Sequence, residues 1–503
     1  MEYMTPLIHG FADALTPVNL FFAFLGCLLG TLVGVLPGLG PTSGIAMLLP
    51  LTLILDPAPA IIMLCGIYYG AMYGGSTTAI LVNIPGEVAS VPTAMDGYAL
   101  ARQGRAGPAL AIAAISSFVA GTLSLIGLTF FAPTFAGWAL RFGPPEYVAL
   151  MCLALSVVVN LTGRSFVKGL ISALLGFLVA MVGMDPITGV SRFTFGQVDL
   201  MSGIDFISVV IGLFAVAEIL SNVENPTVKV YGKKLTGLMP TWADIRETLP
   251  AMLRSTVIGF FLGLLPGCSP AVTAFVAYDA EKRLAKKPEE FGQGSLSGVA
   301  APEGANNATT SGGFVPLFSF GIPSGPALAV LLGGFMMYGL QPGPTLFEKN
   351  ADLVWAIIAS MYIGNVILVV LNLPLVGIWA RLVRVPYPLL APVVLVCSFI
   401  GAYSVREKLL DVWIALFFGL LGWWMRKIDM PAAPLILTTV LAGMLETSLK
   451  QTLSMGEGSL TILLQRPISL SLLLLALGLT SLSLYGRFRN SGRGGPPAIT
   501  EDG

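Results

Sequence analysis

Pro37-Gly-Leu-Gly-Pro-Thr-Ser-Gly44 sets two prolines, three glycines and two hydroxyls inside an apolar stretch. Proline removes a backbone donor and glycine admits positive φ, so a helix passing here is interrupted. A new helix starting at Pro41 or Thr42 would aim free N–H groups and the positive end of its dipole at an anion. Gly38, Gly40, Pro41, Thr42 and Ser43 are therefore candidate substrate ligands. A second break, Gly263-Leu-Leu-Pro-Gly-Cys-Ser-Pro270, lies just past mid-chain and adds Gly267, Cys268, Ser269 and Pro270. There Cys268 and Ser269 replace Leu39 and Gly40, so the two sites need not be chemically equal. One such break reads as a packing kink. Two at matching positions point to a binding site between repeats.

A second group is polar without being charged. Ser76-Thr-Thr78 follows Gly74-Gly75, with Asn83 beyond; Ser76, Thr77 and Asn83 join the substrate candidates. The counterpart is Pro302-Glu-Gly-Ala-Asn-Asn-Ala-Thr-Thr-Ser-Gly-Gly313. Neutral oxygens suit Na⁺, together with carbonyls freed by unwound backbone. Asn306, Asn307, Thr309, Thr310 and Ser311 are the candidate Na⁺ ligands. The same groups could hold a carboxylate without a buried cation. A polar surface loop, or small-residue contact between helices, is the competing reading. Glu303 leads the charged candidates; Asp185, Arg192, Glu218 and Glu446 read as interface residues. Tyr68-Tyr69 and Trp423-Trp424 read as anchors of the aromatic belt. No Lys or Arg occurs in 34–46, 263–275 or 298–326, so helix ends rather than a cationic clamp in the motifs are expected to hold carboxylate, with Arg192 as the rival.

The elements that carry these motifs must cross a bilayer. Hydrophobic residues make up 55% of the 503 and charged residues 11%, where about 25% charged is usual. A soluble surface cannot be kept wetted on that composition. The apolar runs are long and continuous, unlike the alternating strands of a barrel. At about 20 apolar residues per crossing, spans fall near 16–36, 60–82, 108–133, 146–160, 166–183, 203–222, 250–267, 313–340, 353–375, 386–404, 408–425, 431–447 and 467–485. The expected fold is an all-α polytopic membrane protein of about 11 to 13 segments, with broken helices and re-entrant hairpins.

The motifs also repeat in order. Gly74 to Gly312 and Asn83 to Gly321 are both offset by 238, and Gly34 to Gly263 by 229. The nine-residue difference fits a longer connection around Asp279–Pro288. This predicts an N-terminal repeat over 1–222, a polar connection over 223–249, a C-terminal repeat over 250–486 and a disordered tail over 487–503. Inverted topology is the expected relation, since it yields alternating access about a midplane site. Basic clusters at 229–254, 281–287, 381–384, 426–427 and 487–493 place the C-terminus in the cytoplasm.

Several classes are excluded. One histidine, His9, and five scattered cysteines offer neither imidazole catalysis nor metal spacing. No enzyme activity and no resident cofactor is expected. The formal net charge of +0 gives no field for nucleic acid. No phosphate-binding P-loop appears. A passive anion channel remains the alternative, although channels favour charged rings, and here polar residues gather at breaks.

The chain resembles the large membrane subunit of the tripartite tricarboxylate transporter family. The likeness rests on Gly34 to Ala46, on Gly263 to Phe275 with Ala277-Tyr278 and Glu281-Lys-Arg283, on Ala301 to Gly313 and on Gly183-Met-Asp-Pro-Ile-Thr-Gly-Val-Ser-Arg-Phe-Thr-Phe-Gly196. It runs from about residue 15 to 485. The resemblance implies a multi-pass permease of the bacterial inner membrane, acting with a small membrane subunit and a periplasmic solute-binding protein. It implies uptake of an organic di- or tricarboxylate, driven by a Na⁺ (or H⁺) gradient without ATP, through a mobile domain made of the two motif-bearing hairpins. A homo-oligomer stays open.

Overall fold

The structure, a computed structural model, describes residues 3–36, 39–161, 165–185, 187–224, 239–382 and 387–491. Pro37 and Gly38 of the first break lie outside the described residues. The chain is helical almost throughout. The N-terminal helices are α1 (Met4–Ala14), α2 (Pro17–Val35), α3 (Pro41–Leu48), α4 (Pro57–Val82), α5 (Val91–Arg102), α6 (Ala106–Ala139), α7 (Pro144–Leu161) and α8 (Phe166–Ala180). A two-residue hairpin pairs Gly183–Met184 with Ser191–Arg192. Then α9 (Phe206–Val210) runs through a π-helical turn, Ile211–Val216, into α10 (Ala217–Glu224). The second half holds α11 (Trp242–Gly263), α12 (Pro270–Leu284), α13 (Leu296–Phe320), α14 (Pro326–Met337), α15 (Pro344–Lys349), α16 (Ala351–Asn372), α17 (Val376–Leu382), α18 (Tyr387–Arg406), α19 (Leu409–Lys427), α20 (Ala433–Met455), α21 (Ile462–Gln465) and α22 (Pro467–Ser491). Among the described residues, six helices are long and apolar enough to span a membrane: α2, α4, α6, the run through α9 and α10, α16 and α19. This is an all-α polytopic membrane protein.

Two helices, α4 and α13, form the centre and are buried over nearly their whole length. Lipid supplies no hydrophobic drive for helix pairing, so close backbone approach must hold such helices. Glycines provide it. A Cβ on Gly26, Gly30 or Gly34 of α2 would sit 2.3–2.4 Å from the carbonyl oxygens of Met63, Ile67 and Ala71 on α4. On α11, a Cβ on Gly259 would sit 2.3 Å from the Ala305 carbonyl of α13, and one on Gly263 2.8 Å from that of Thr309. Gly30–Ile67 thus recurs as Gly259–Ala305, and Gly34–Ala71 as Gly263–Thr309, at the sequence offsets of 229 and 238. α16 packs on α4 and α2, while α6 packs on α13 and α11.

The nine extra residues sit in the connection between α12 and α13, where 285–295 replace the two residues between Ile54 and Pro57. Asp96 of α5 holds this loop. Its Oδ1 accepts from the backbone N–H groups of Gly292, Gly294 and Ser295 at 2.8–2.9 Å, and its Oδ2 from the Tyr278 hydroxyl at 2.8 Å.

Several expectations need correction. The span placed at 313–340 is two helices, because Gly321 takes φ +73° and Pro326 begins a new one. The stretch 306–311 is not unwound. It lies inside continuous α13, since neighbouring helices and its own carbonyls satisfy its side chains: Thr310 Oγ1 donates to Asn306 O at 2.8 Å and Ser311 bonds Tyr69 at 2.7 Å. Tyr68 and Tyr69 are buried against Phe314 and belong to no belt. α11 starts at Trp242, inside the stretch read as connection, on a Thr241–Asp244 capping box; residues 225–238 are outside the described residues. α22 continues to Ser491, into the stretch read as tail, and 492–503 are likewise outside the described residues.

Replacing Gly30 or Gly259 with Leu is expected to abolish monodisperse protein on size-exclusion chromatography, because backbone carbonyls cannot retreat. Gly443→Ala, with open space around it, should leave the elution profile and Tm unchanged.

Candidate anion-binding site

Three helices begin at one place. α3, α12 and α14 each start on a proline, Pro41, Pro270 and Pro326, after the N-caps Gly40, Ser269 and Gly325. Proline fits the first helical position, where an N–H would be unpaired anyway. None of the three N-caps bonds its helix through a side chain. The first ladder bonds are Gly44 to Gly40, Thr273 to Ser269 and Ala329 to Gly325, at 3.0–3.2 Å. The amides of Thr42 and Ser43, Ala271 and Val272, and Ala327 and Leu328 precede those ladders.

The N-termini line a cavity of about 530 Å³, within the size of small-molecule sites. One wall holds Gly40 to Ser43, another Ser269 to Ala271, and a third Gly325 to Ala327. The break after α4 closes a fourth side with Pro85 to Ala89. Asn83 turns the chain there with φ 57° but is itself exposed and outside the cavity. Gly267, φ +85°, donates its N–H to Ser324 O at 2.9 Å and so ties the second break to the third.

The two breaks are thus brought together, and the structure sorts the sequence candidates. Gly40, Pro41, Thr42, Ser43, Ser269 and Pro270 line the cavity. Gly267 and Cys268 are buried behind it, Ser76 and Thr77 lie deep in α4, and Gly38 is outside the described residues. Ser43 donates its hydroxyl to Phe214 O at 3.1 Å, a carbonyl in the π-helical turn. Such turns free backbone groups at functional sites.

Sequence reasoning missed the far wall. Arg426 at the end of α19 and Glu218 of α10 both line the cavity and pair with each other. Arg426 lay in a cluster read only as a marker of sidedness, and nothing local distinguishes it. Gly325-Pro326 repeats the Gly40-Pro41 dipeptide and closes Gly321-Ile-Pro-Ser-Gly-Pro326, which reads as a break in the sequence though not as part of the site. Glu87 is a second carboxylate on the wall.

Arg192 is engaged elsewhere. It forms a two-pronged pair with Glu446 at 2.7 and 3.2 Å and lies 3.9 Å from Asp185, which Lys450 also contacts. The Lys450 ammonium beside Asp185, with the backbone N–H groups of Thr188 and Ile187, holds its carboxyl well below the usual carboxylate range. A depressed folded-state pKa adds stability above the unfolded value and loses it as pH falls. The Tm gap between the wild type and Asp185→Asn should be full near pH 6 and shrink progressively below about pH 4.

The model of the tripartite tricarboxylate transporter TctA family matches residues 20–437. A relative from Agrobacterium vitis, named as a 52.8 kDa protein in the TAR-I ttuC′ 3′ region, is 45% identical over 491 residues, covering 97% of this chain and 98% of its own length. Another from the same organism, named for the TAR-II ttuC′ 3′ region, is 40% identical over 232 residues, covering 46% of this chain and 96% of its own. No solved structure matches. With the family model spanning most of the helical core and both breaks, the chain belongs to the tripartite tricarboxylate transporter TctA family.

Proposed function

We propose that this chain is the substrate-translocating permease of a binding-protein-dependent secondary transporter, taking up organic di- or tricarboxylates in a bacterial inner membrane. It works with a small membrane subunit and a periplasmic solute-binding protein, and a Na⁺ (or H⁺) gradient drives it. The observation that carries this reading is the meeting of three uncapped helix N-termini at one cavity. A helix end favours an anion by up to about 2 kcal/mol when partly buried. Unpaired amides at each end add directional donors.

The placement of the cavity supports alternating access. Most of its wall comes from the two groups of broken helices, and Phe214, Glu218 and Arg426 face them from the π-helical turn, α10 and α19. Sliding one group past the other would carry the substrate between the two membrane faces. The recurring glycine contacts support descent of the halves from one duplicated unit, with inverted topology as the arrangement that permits both exposures. Arg426 is the one lining cation among the described residues. A substrate carboxylate can take it by displacing Glu218.

The test is uptake of labelled di- and tricarboxylates into proteoliposomes holding both membrane subunits, with the binding protein outside and Na⁺ and H⁺ gradients imposed separately. Ala271→Asp and Ala327→Asp place an anion where the substrate carboxylate would sit, yet acidic residues suit a first helical turn. Both should abolish uptake with Tm unchanged, while Ala271→Asn keeps most of it. Unimpaired uptake in both Asp variants would sink the helix-end account. Arg426→Gln should raise the half-saturating substrate concentration about tenfold, and Arg192→Gln should not; this is about 1.4 kcal/mol.

A further inference from the structure

Glu303 lies outside the cavity wall and is fully buried on α13. Three hydroxyls donate to it: Thr93 Oγ1 to Oε1 at 2.5 Å, Ser76 Oγ to Oε2 at 2.6 Å and Ser117 Oγ to Oε2 at 3.4 Å. No ion pair among the described residues includes it. A carboxylate buried among neutral groups is costly unless a positive partner joins it.

Beside it lies an enclosed void of about 10 Å³, whose polar lining is Tyr73, Ser76, Thr77, Ser117 and Asn372. That is the room of about one water-sized sphere. Asn372 donates Nδ2 to Leu368 O at 2.9 Å and to Thr31 Oγ1 at 3.4 Å, leaving Oδ1 buried with no donor. Asn307 is in the same condition. Its Nδ2 reaches Ser117 Oγ at 2.9 Å, Glu303 O at 3.1 Å and Asn306 Oδ1 at 2.5 Å, while its own Oδ1 is buried without a donor. The orphan amide oxygen of Asn372 and the serine hydroxyls are hard ligands, and Glu303, which accepts from both serines, adds a single negative charge behind them. No group of three or more His, Cys, Asp or Glu among the described residues could hold a metal ion, so the set fits a monovalent cation.

We propose that Ser76, Ser117 and Asn372 line a Na⁺ site whose charge is balanced by Glu303 behind the two serines, with Asn307 orienting Ser117. This deepens the transporter reading and rests on it. Thr309, Thr310 and Ser311 stand outside this set, Thr309 donating to the carbonyls of Gly259 and Ala305, Thr310 to that of Asn306, and Ser311 bonding Tyr69. The site touches the cavity through one segment. Thr93 bonds Glu303, and Ser90 and Glu87, three and six residues earlier in that segment, press on Gly75 beside Ser76: a Cβ at Gly75 would meet Ser90 Oγ at 2.7 Å and Glu87 Cγ at 3.0 Å. Glu87 is on the cavity wall. A cation that draws in Ser76 and Thr93 therefore positions that wall.

The test is thermal unfolding of the purified full-length chain at fixed pH, titrating NaCl against choline chloride at constant ionic strength. Na⁺ should raise the wild-type Tm with log concentration, as a ligand of the folded state does, and K⁺ should not. Glu303→Gln should remove the Na⁺ response. Ser117→Ala and Asn372→Ala should raise the half-maximal Na⁺ concentration about tenfold or more, and they carry the test if Glu303→Gln does not fold. A wild-type Tm indifferent to Na⁺, or a response intact in all three variants, overturns the site. A Tm that follows pH through Glu303 but ignores Na⁺ overturns it in favour of a proton. No carboxylate is present, so failure here leaves the anion cavity standing, and failed carboxylate uptake leaves a Na⁺ shift readable.

Discussion

Wherever α2 crosses α4, a glycine meets a carbonyl. The three α2 glycines recur every fourth residue and so share one face. Gly66, Gly70 and Gly74 answer them from α4; a Cβ on Gly70 would sit 2.6 Å from Cys27 O and one on Gly74 2.4 Å from Thr31 O. Two backbones in such contact cannot slide or rotate without collision. The contact also fixes the breaks, because α2 ends one residue after Gly34 and α11 ends at Gly263 itself. The last glycine of each run sets the depth at which the chain leaves the helix. The same rigid pairs then aim α3 and α12 from that depth. The meeting of α3 and α12 at the candidate cavity is thus a consequence of the glycine stripes.

The electrostatics of the cavity are those of a carrier rather than a store. Three helix ends at up to about 2 kcal/mol each give an upper bound near 6 kcal/mol, which corresponds to a dissociation constant of order 10⁻⁵–10⁻⁴ M. A free arginine would deepen the well and slow release. Arg426 is instead tied to Glu218, so a ligand must exchange with an existing partner and gains only the difference.

The sequence made these parts legible unevenly. Prolines and glycines act locally, so the breaks at 37–41 and 266–270, their offset and the longer second connection could all be read. The helix over 296–312 could not, because Asn, Thr and Ser lower helix propensity and mimic loops. It is helical since α4, α6 and α11 surround it with partners: Ser117 accepts from Asn307, and Gly259 O from Thr309. That information lies about 190 and 50 residues away. Arg426 was hidden for a related reason, since an arginine at a helix end looks the same whether it faces cytoplasm or cavity. Asp96, which gathers three amides of the longer loop, reads as one more exposed acid until the fold closes on it.

The polar character of α13 bears on how the two halves communicate. A helix so fully buried could have been apolar, and replacing buried polar sets by apolar ones is often neutral or stabilising. Retaining Glu303, Asn306 and Asn307 leaves orphan atoms such as Asn306 Nδ2 and Asn307 Oδ1, a cost the fold alone does not require. In the same stretch Glu303 accepts from Ser76 and Thr93 of the N-terminal half, and Asn307 donates to Ser117 of α6. These polar contacts of Glu303 and Asn307 run across the halves, whereas the α2–α4 and α11–α13 glycine contacts run within each. The incompletely satisfied, adjustable contacts lie between the pairs, which is where a conformational change coupled to an ion would have to act.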